Sequence, residues 1–169
     1  FVCEQPPYSI LVRSIEAEVL PVCRRYGMGV IPWSPLAGGW LSGKYRRGME
    51  TPKGGRAQRI PQRYDPALPE NADKMDAVEE LVMLADDAGL SLVHLALAFV
   101  LEHPAVSSAI IGPRTTEHLE GQLGAADIHL EPAVLDRIDE LVPPGTNLNV
   151  ADAGWTPPAL ADKSQRRRR

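Results

Sequence analysis

Apolar positions along the chain fall into two patterns, short β-favouring runs and longer stretches with helical spacing. Phe1-Val2-Cys3, Val30-Ile31-Pro32-Trp33 and Ser108-Ala109-Ile110-Ile111 are the short runs, and a helical stretch follows each. After the first run, Ser14 offers an N-cap with Glu16 and Glu18 in the opening turn, and Ile15, Val19 and Val22 recur at helical intervals. Pro21 interrupts that helix and predicts two short pieces ending near Tyr26 and Gly27. Asn71 caps a helix whose Met75, Val78, Val82 and Ala85 share one face, and Gly89 ends it. Ser91 caps Leu92–Glu102, which is apolar nearly all round and therefore buried, with His94 packed inside and His103 closing its end. A further helix opens at Thr115 or Thr116. The last runs from Glu131-Pro132 with Leu135, Ile138, Leu141 and Val142 inward, and Pro143-Pro144-Gly145 stops it. Three strands, each followed by helix, predict a parallel sheet.

Two stretches lack any period. Residues 46–70 are rich in proline and glycine and carry arginines at 46, 47, 56, 59 and 63, which reads as a long loop with a functional role. Thr146–Arg169 reads as an irregular tail laid over the body and ending in an Arg run. The expected division is therefore 1–145 and 146–169. Phe1 begins within a strand, so the chain is expected to be a piece of something longer.

Composition narrows the class. With 44% apolar and 24% charged residues, the chain is an ordinary soluble globular one. It has no apolar run near 18 residues, so no membrane span is expected. The net charge of −4 hides +5 from Lys163 and Arg166 to Arg169, leaving −9 on the rest. An acidic body gives no broad basic face for nucleic acid, and the Arg run reads as a solvated tail, with anionic partners as its alternative. Cys3 and Cys23 lack metal-ligand spacing and read as free thiols in a reducing cytoplasm.

Candidate chemistry gathers in Val30–Tyr45. An apolar run stops at Pro-Ser-Pro, turns through Gly38, Gly39 and Gly43, and reaches a lone Lys44. Glycines let a backbone approach a ligand closely, and successive free N–H groups make a concavity for anions. Trp33 adds a flat face for a ring, so the stretch points to a nucleotide cofactor. Gly38 to Lys44 also fits the front of a P-loop, G-x-x-x-x-G-K. That motif needs Ser or Thr next, and Tyr45 stands there, with Trp40 and Leu41 adding bulk inside the loop. Further on, a strand ends at Gly112 and a helix opens just after Arg114. Free helix N–H groups and a bidentate guanidinium suit the 2′-phosphate of NADP rather than the bare ribose of NAD.

WSPLAGGWLSGKY and IIGPRTTEHLEGQL resemble the segments after the seventh and eighth strands of aldo-keto reductases, in particular the bacterial branch similar to potassium-channel β-subunits. The resemblance implies an α/β fold that is the C-terminal portion, about strands 6–8 with their helices, of a (β/α)8 TIM barrel. It implies that Gln5 holds the nicotinamide carboxamide and that Trp33 stacks on the ring. Ser34, Pro35, Leu36, Ala37 and Gly38 would line the pyrophosphate, with Lys44 clamping from outside and Arg56 in a loop over the cofactor. Gly112 and Arg114 would meet the 2′-phosphate. His118 and Gln122 stand where the family has the glutamine and asparagine that meet adenine, and their i, i+4 spacing keeps both on one helix face.

The implied function is NADP(H)-dependent reduction of an aldehyde or ketone in the cytoplasm, without nucleic-acid or membrane partners and with no metal. The family's catalytic Asp, Tyr, Lys and His belong to an N-terminal half that the resemblance does not reach. None of Tyr8, Tyr26, Tyr45 and Tyr64 sits in that catalytic context, so no catalytic residue is assigned and this chain alone is expected to be inactive. The alternative is a non-catalytic NADP-binding regulatory module. The carbonyl substrate and the oligomeric state are left open.

Overall fold

β1 (Cys3–Glu4) lies parallel to β2 (Gly29–Val30), with Cys3 opposite Gly29 and Glu4 opposite Val30, in a computed structural model that describes residues 1–50, 56–155 and 157–167. Parallel bridges extend this pairing, Pro7 to Trp33 on one side of β2 and Val106 to Val30 and Ile110 to Trp33 on the other. Among the described residues the run at 108–111, expected as a third strand, forms only the Ile110 bridge. Pro32 supplies a carbonyl, which the Ile110 N–H reaches at 2.8 Å, but it has no N–H to return. Phe1 and Val2, expected in the first strand, lie exposed before it.

The helix after β1 does come in two pieces, a 3₁₀ turn at Ser14–Glu16 and α1 (Val19–Tyr26). The break falls at Ala17 and Glu18 rather than at Pro21, which sits in the first turn of α1, where a missing N–H costs little. Ser14 caps nothing; its N–H is taken by Asn147 Oδ1 at 2.9 Å. Residues 46–70 are also less irregular than expected. They hold α2 (Arg56–Arg59), α3 (Pro61–Tyr64) and a 3₁₀ turn at Pro69–Asn71, while 51–55 lie outside the described residues. Pro61 and Pro69 open their turns with φ already helical, and buried Ala57 and Tyr64 anchor them.

α4 (Ala72–Asp87) presents Met75, Val78, Leu81 and Ala85 to the core. Asn71 stands at its N-cap position without capping it, because its side chain donates to the Asp65 carbonyl and accepts from Asn149. α5 (Leu92–Glu102) behaves as expected. The Ser91 hydroxyl accepts from the His94 N–H, residues 95–100 are all buried, and the helix packs against α4 and the glycine-rich turn at 37–42. α6 (Thr116–Leu123) and α7 (Pro132–Leu141) complete the body.

The tail is not uniformly irregular. It contains a 3₁₀ turn at Val150–Asp152, capped by Asn149, and the short α8 (Pro158–Ala161) and α9 (Lys163–Arg166). Its start is laid on the turn at 9–14, with Leu148 N–H donating to Leu11 and Arg13 N–H to Thr146. Buried Arg13 adds a bond to the Val142 carbonyl and an ion pair with Asp139 of α7. Among the described residues no single helix is long and apolar enough to cross a membrane. Of the Arg run, Arg168 and Arg169 lie outside the described residues.

Candidate functional site

The bridges from Trp33 to Pro7 and to Ile110 hold the end of the central strand in place. Beyond it the backbone turns into left-handed space repeatedly, at Ser34 (φ 58°), Ala37 (φ 47°), Gly38 (φ 67°), Gly39 (φ 108°) and Gly43 (φ 78°). Ser34 and Ala37 are the non-glycine residues with positive φ among the described residues, and such conformations are strained for residues with a Cβ. What holds them is local bonding and burial. Ala37 N–H reaches the Ser34 carbonyl and Gly39 N–H the Leu36 carbonyl, both at 2.8 Å. Trp40 and Leu41 are fully buried, and the Trp40 indole N–H donates to the Arg63 carbonyl at 3.0 Å. Among the described residues the Ser34 and Leu36 amides have no acceptor. Alternating left- and right-handed residues with free N–H groups form an anion-binding concavity.

Gly38 is required by space as well as by φ, while at Gly39 the flexible end of Lys44 fills the space a Cβ would take. A Cβ on Gly38 would lie 2.5 Å from the Tyr64 hydroxyl oxygen, and one on Gly39 would lie 2.5 Å from Lys44 Nζ. Lys44 therefore folds back over the loop. Arg56 donates to the Gly38 carbonyl at 2.9 Å. Burial, and after it the neighbouring charges of Arg56 and Arg114, hold the Lys44 ammonium below the ordinary lysine value. Among the described residues none of these three cations has an ion pair, whereas Arg46, Arg47 and Arg63 are paired with Glu79, Asp76 and Asp152.

The structure thus brings Trp33, Ser34, Leu36, Ala37, Gly38, Lys44 and Arg56 to one place, with Arg114 near enough for its charge to act on Lys44. Pro35 is buried beneath the loop, and Gly112 is exposed just before Arg114. Gln5 is exposed between Glu4 and Pro6, whose carbonyls accept from Ile31 and Trp33. On α6, Thr115 caps the helix by accepting from the His118 N–H at 3.2 Å. His118 is exposed, while Gln122 Oε1 is buried and unpartnered among the described residues. That is an acceptor waiting for a donor. His118 and Gln122 form no bond to the glycine loop.

Residue spacing did not reveal a second set of charges under the loop. Fully buried Lys74 donates to the Arg63 carbonyl at 2.8 Å and pairs with Asp152, which also takes Arg63 Nε at 2.7 Å. Burial pushes the Lys74 ammonium down, against the pull of Asp152. A small recess lined by Trp33, Ser34, Ala37 and Gly38 has Arg63 and Asp152 as its charged wall. The available signal was Lys74 itself, a charge in register with inward Val78, Leu81 and Ala85. Tyr8 also lines the recess, but burial and its bond to Glu16 (2.6 Å) hold its phenol far above the usual range, so it keeps its proton.

The chain is similar to known proteins. The model for the Aldo/keto reductase family matches residues 1–143. Over 161 residues the chain is 35% identical to the "Uncharacterized oxidoreductase YrpG" of Bacillus subtilis (strain 168), covering 95% of this chain and 44% of that protein. It is 34% identical over 146 residues to a "Probable voltage-gated potassium channel subunit beta" of Arabidopsis thaliana, covering 83% and 44%. The glycerol dehydrogenase AKR11B4 from Gluconobacter oxydans has the same fold, with a TM-score of 0.69 at 24% identity over 90% of this chain and 43% of that one. The chain spans less than half the length of the curated relatives it matches.

Proposed function

The chain belongs to the aldo/keto reductase family of oxidoreductases, and from that premise we propose that residues 1–145 are the C-terminal portion of a (β/α)8 barrel, about strands 6–8, and hold NADP(H) for reduction of an aldehyde or ketone. The observation that carries this reading is a loop that leaves the Ser34 and Leu36 amides free beside Lys44 and Arg56, with the Arg114 charge acting on Lys44 and no ion pair to any of the three among the described residues. Like charges that act on one another cost free energy, and a polyanion among them returns it.

The residues present fit a phosphorylated dinucleotide. Trp33 offers its face to the nicotinamide and Gln5 its amide to the carboxamide. Ser34 and Leu36 donate N–H groups to the pyrophosphate, lined by Pro35, Ala37 and Gly38, with Lys44 and Arg56 closing over it. Gly112 and Arg114 receive the 2′-phosphate. Gln122 and His118, on one face of α6, meet the adenine. NADPH supplies a hydride when bound. The proton donor is assigned to none of the tyrosines here, and the family's Asp, Tyr, Lys and His set is placed in barrel strands outside the matched segments. This chain alone binds cofactor and turns nothing over. The likeness to potassium channel β subunits favours a second reading, a non-catalytic NADP-binding regulatory module.

A fluorescence titration with NADPH and NADH tests the proposal. Saturable binding that prefers NADPH is expected, and Arg114→Ala weakens NADPH by about ten- to a hundredfold, the worth of a charge-assisted bond, with little effect on NADH. A folded, monodisperse chain that binds neither nucleotide overturns it.

A further inference from the structure

The paired charges under the glycine loop form no hydrogen bond to the residues assigned to the dinucleotide among the described residues, although Arg63 and Asp152 wall the same recess, and they are wired to the loop through the Trp40 side chain. Asp152 belongs to the tail, in the turn that Asn149 holds by accepting from the Ala151 N–H and donating to Gln62 and Asn71. Its carboxylate takes Arg63 Nε on one oxygen and Lys74 Nζ on the other. Lys74 Nζ and Trp40 Nε1 then share a single acceptor, the Arg63 carbonyl, at 2.8 and 3.0 Å. Trp40 lies inside the loop between Gly39 and Leu41. Its ring packs on Tyr45 at 4.7 Å and faces the Lys74 ammonium at 5.1 Å. Tyr64, next to Arg63, fills the space that a Cβ on Gly38 would need. Three segments distant in sequence therefore meet at one carbonyl.

We propose that Asp152 is a positioning residue for the dinucleotide loop. By holding Arg63 and Lys74 it sets the Arg63 carbonyl against Trp40, and so keeps Ser34 to Gly38 in the strained shape that leaves amides free for an anion. The identity of that anion rests on the reading above; the wiring does not. Strained backbone persists only where surrounding structure over-determines it, and Trp40 with Tyr64 is that surrounding structure. Coupling of this kind is reciprocal, so a bound dinucleotide also holds the tail at 149–152.

The test uses the full chain. Because Asp152→Asn alone strands a buried ammonium and risks unfolding, the working variant is Lys74→Met/Asp152→Leu, which removes both charges at similar volume. Amide hydrogen exchange without nucleotide is read first. At least tenfold faster exchange in 34–43 is expected, with α5 unchanged. Equal loop exchange overturns the proposal, as does faster exchange throughout α5, which would assign the network to overall stability. NADPH affinity is read second, and a fall of about tenfold with Arg114 intact is expected; unchanged affinity overturns the proposal. If the parent chain binds no NADPH, the functional reading falls, and the exchange comparison alone decides the role of Asp152.

Discussion

Two groups of charge border the glycine loop, and they are built on opposite rules. In one, Lys74 and Asp152 are buried, Arg63 is half-buried, and the three are mutually paired, each donor directed at a named acceptor. In the other, Lys44, Arg56 and Arg114 have no ion pair among the described residues, and burial, with the charges of Arg56 and Arg114 after it, depresses the Lys44 ammonium. Paired charges are already compensated by the fold and report on architecture. Uncompensated charges of one sign that act on one another cost the fold free energy and report on a ligand. The contrast matters because counting basic residues near a glycine turn would have treated Arg63 and Arg56 alike.

Removing one partner of the buried group gives the largest expected effect. Asp152→Ala leaves the Lys74 ammonium buried and unpaired, which costs about 3–5 kcal/mol in typical cases, whereas Arg114→Ala should change stability by no more than about 0.5 kcal/mol. Urea unfolding of both variants checks this. A similar loss in both would erase the distinction between the two groups.

Gly38→Ala comes next. The new Cβ meets the Tyr64 ring and hydroxyl in a backbone already at φ 67°, so overpacking and left-handed strain act together. We expect a loss of about 2–3 kcal/mol. Adding Tyr64→Ala should return the steric part but not the backbone part. Thermal or urea denaturation of the single and double variants separates them, and full recovery in the double variant would show that the φ at 38 carries no strain.

These outcomes bear on what was legible before any coordinates. Some signals that act over one helical turn were read correctly, although the equally local cap at Ser14 and break at Pro21 were not. Ser91 and Thr115 cap their helices, Gly27 and Gly89 end theirs in left-handed space, and the run from Trp33 to Lys44 announces a turn that only glycine-rich backbone can make. Features that depend on distant partners were not legible. Asn71 has the sequence context of a cap, but Asn149, 78 residues away, claims its side chain. The run at 108–111 has strand composition, but Pro32 on the neighbouring strand gives it nothing to accept. The Arg63–Lys74–Asp152 group closes over separations of 78 and 89 residues, which no local period encodes. Its one trace was a lysine on an apolar face.

The smallest effect is the most diagnostic of a ligand. Lys44 is exposed enough that Lys44→Met should shift stability by less than about 0.5 kcal/mol. The sign nevertheless follows from its lowered pKa. Between that lowered value and the ordinary lysine value of 10.5, the unfolded chain binds more protons than the folded one, so the contribution of Lys44 to stability rises with pH across that window. Below the window both states carry the charge, and the folded state bears the repulsion from Arg56 and Arg114. A phosphorylated dinucleotide reverses the balance, because an anion favours the ammonium. Its binding should therefore take up a proton in the same window, and NADPH affinity should fall as pH rises through it. Lys44→Met should bind more weakly at neutral pH and show a flatter pH profile. Isothermal titration in two buffers of different ionisation enthalpy measures the proton uptake directly. Equal uptake in the parent chain and in Lys44→Met would detach Lys44 from the anion and leave the cation group without its proposed purpose.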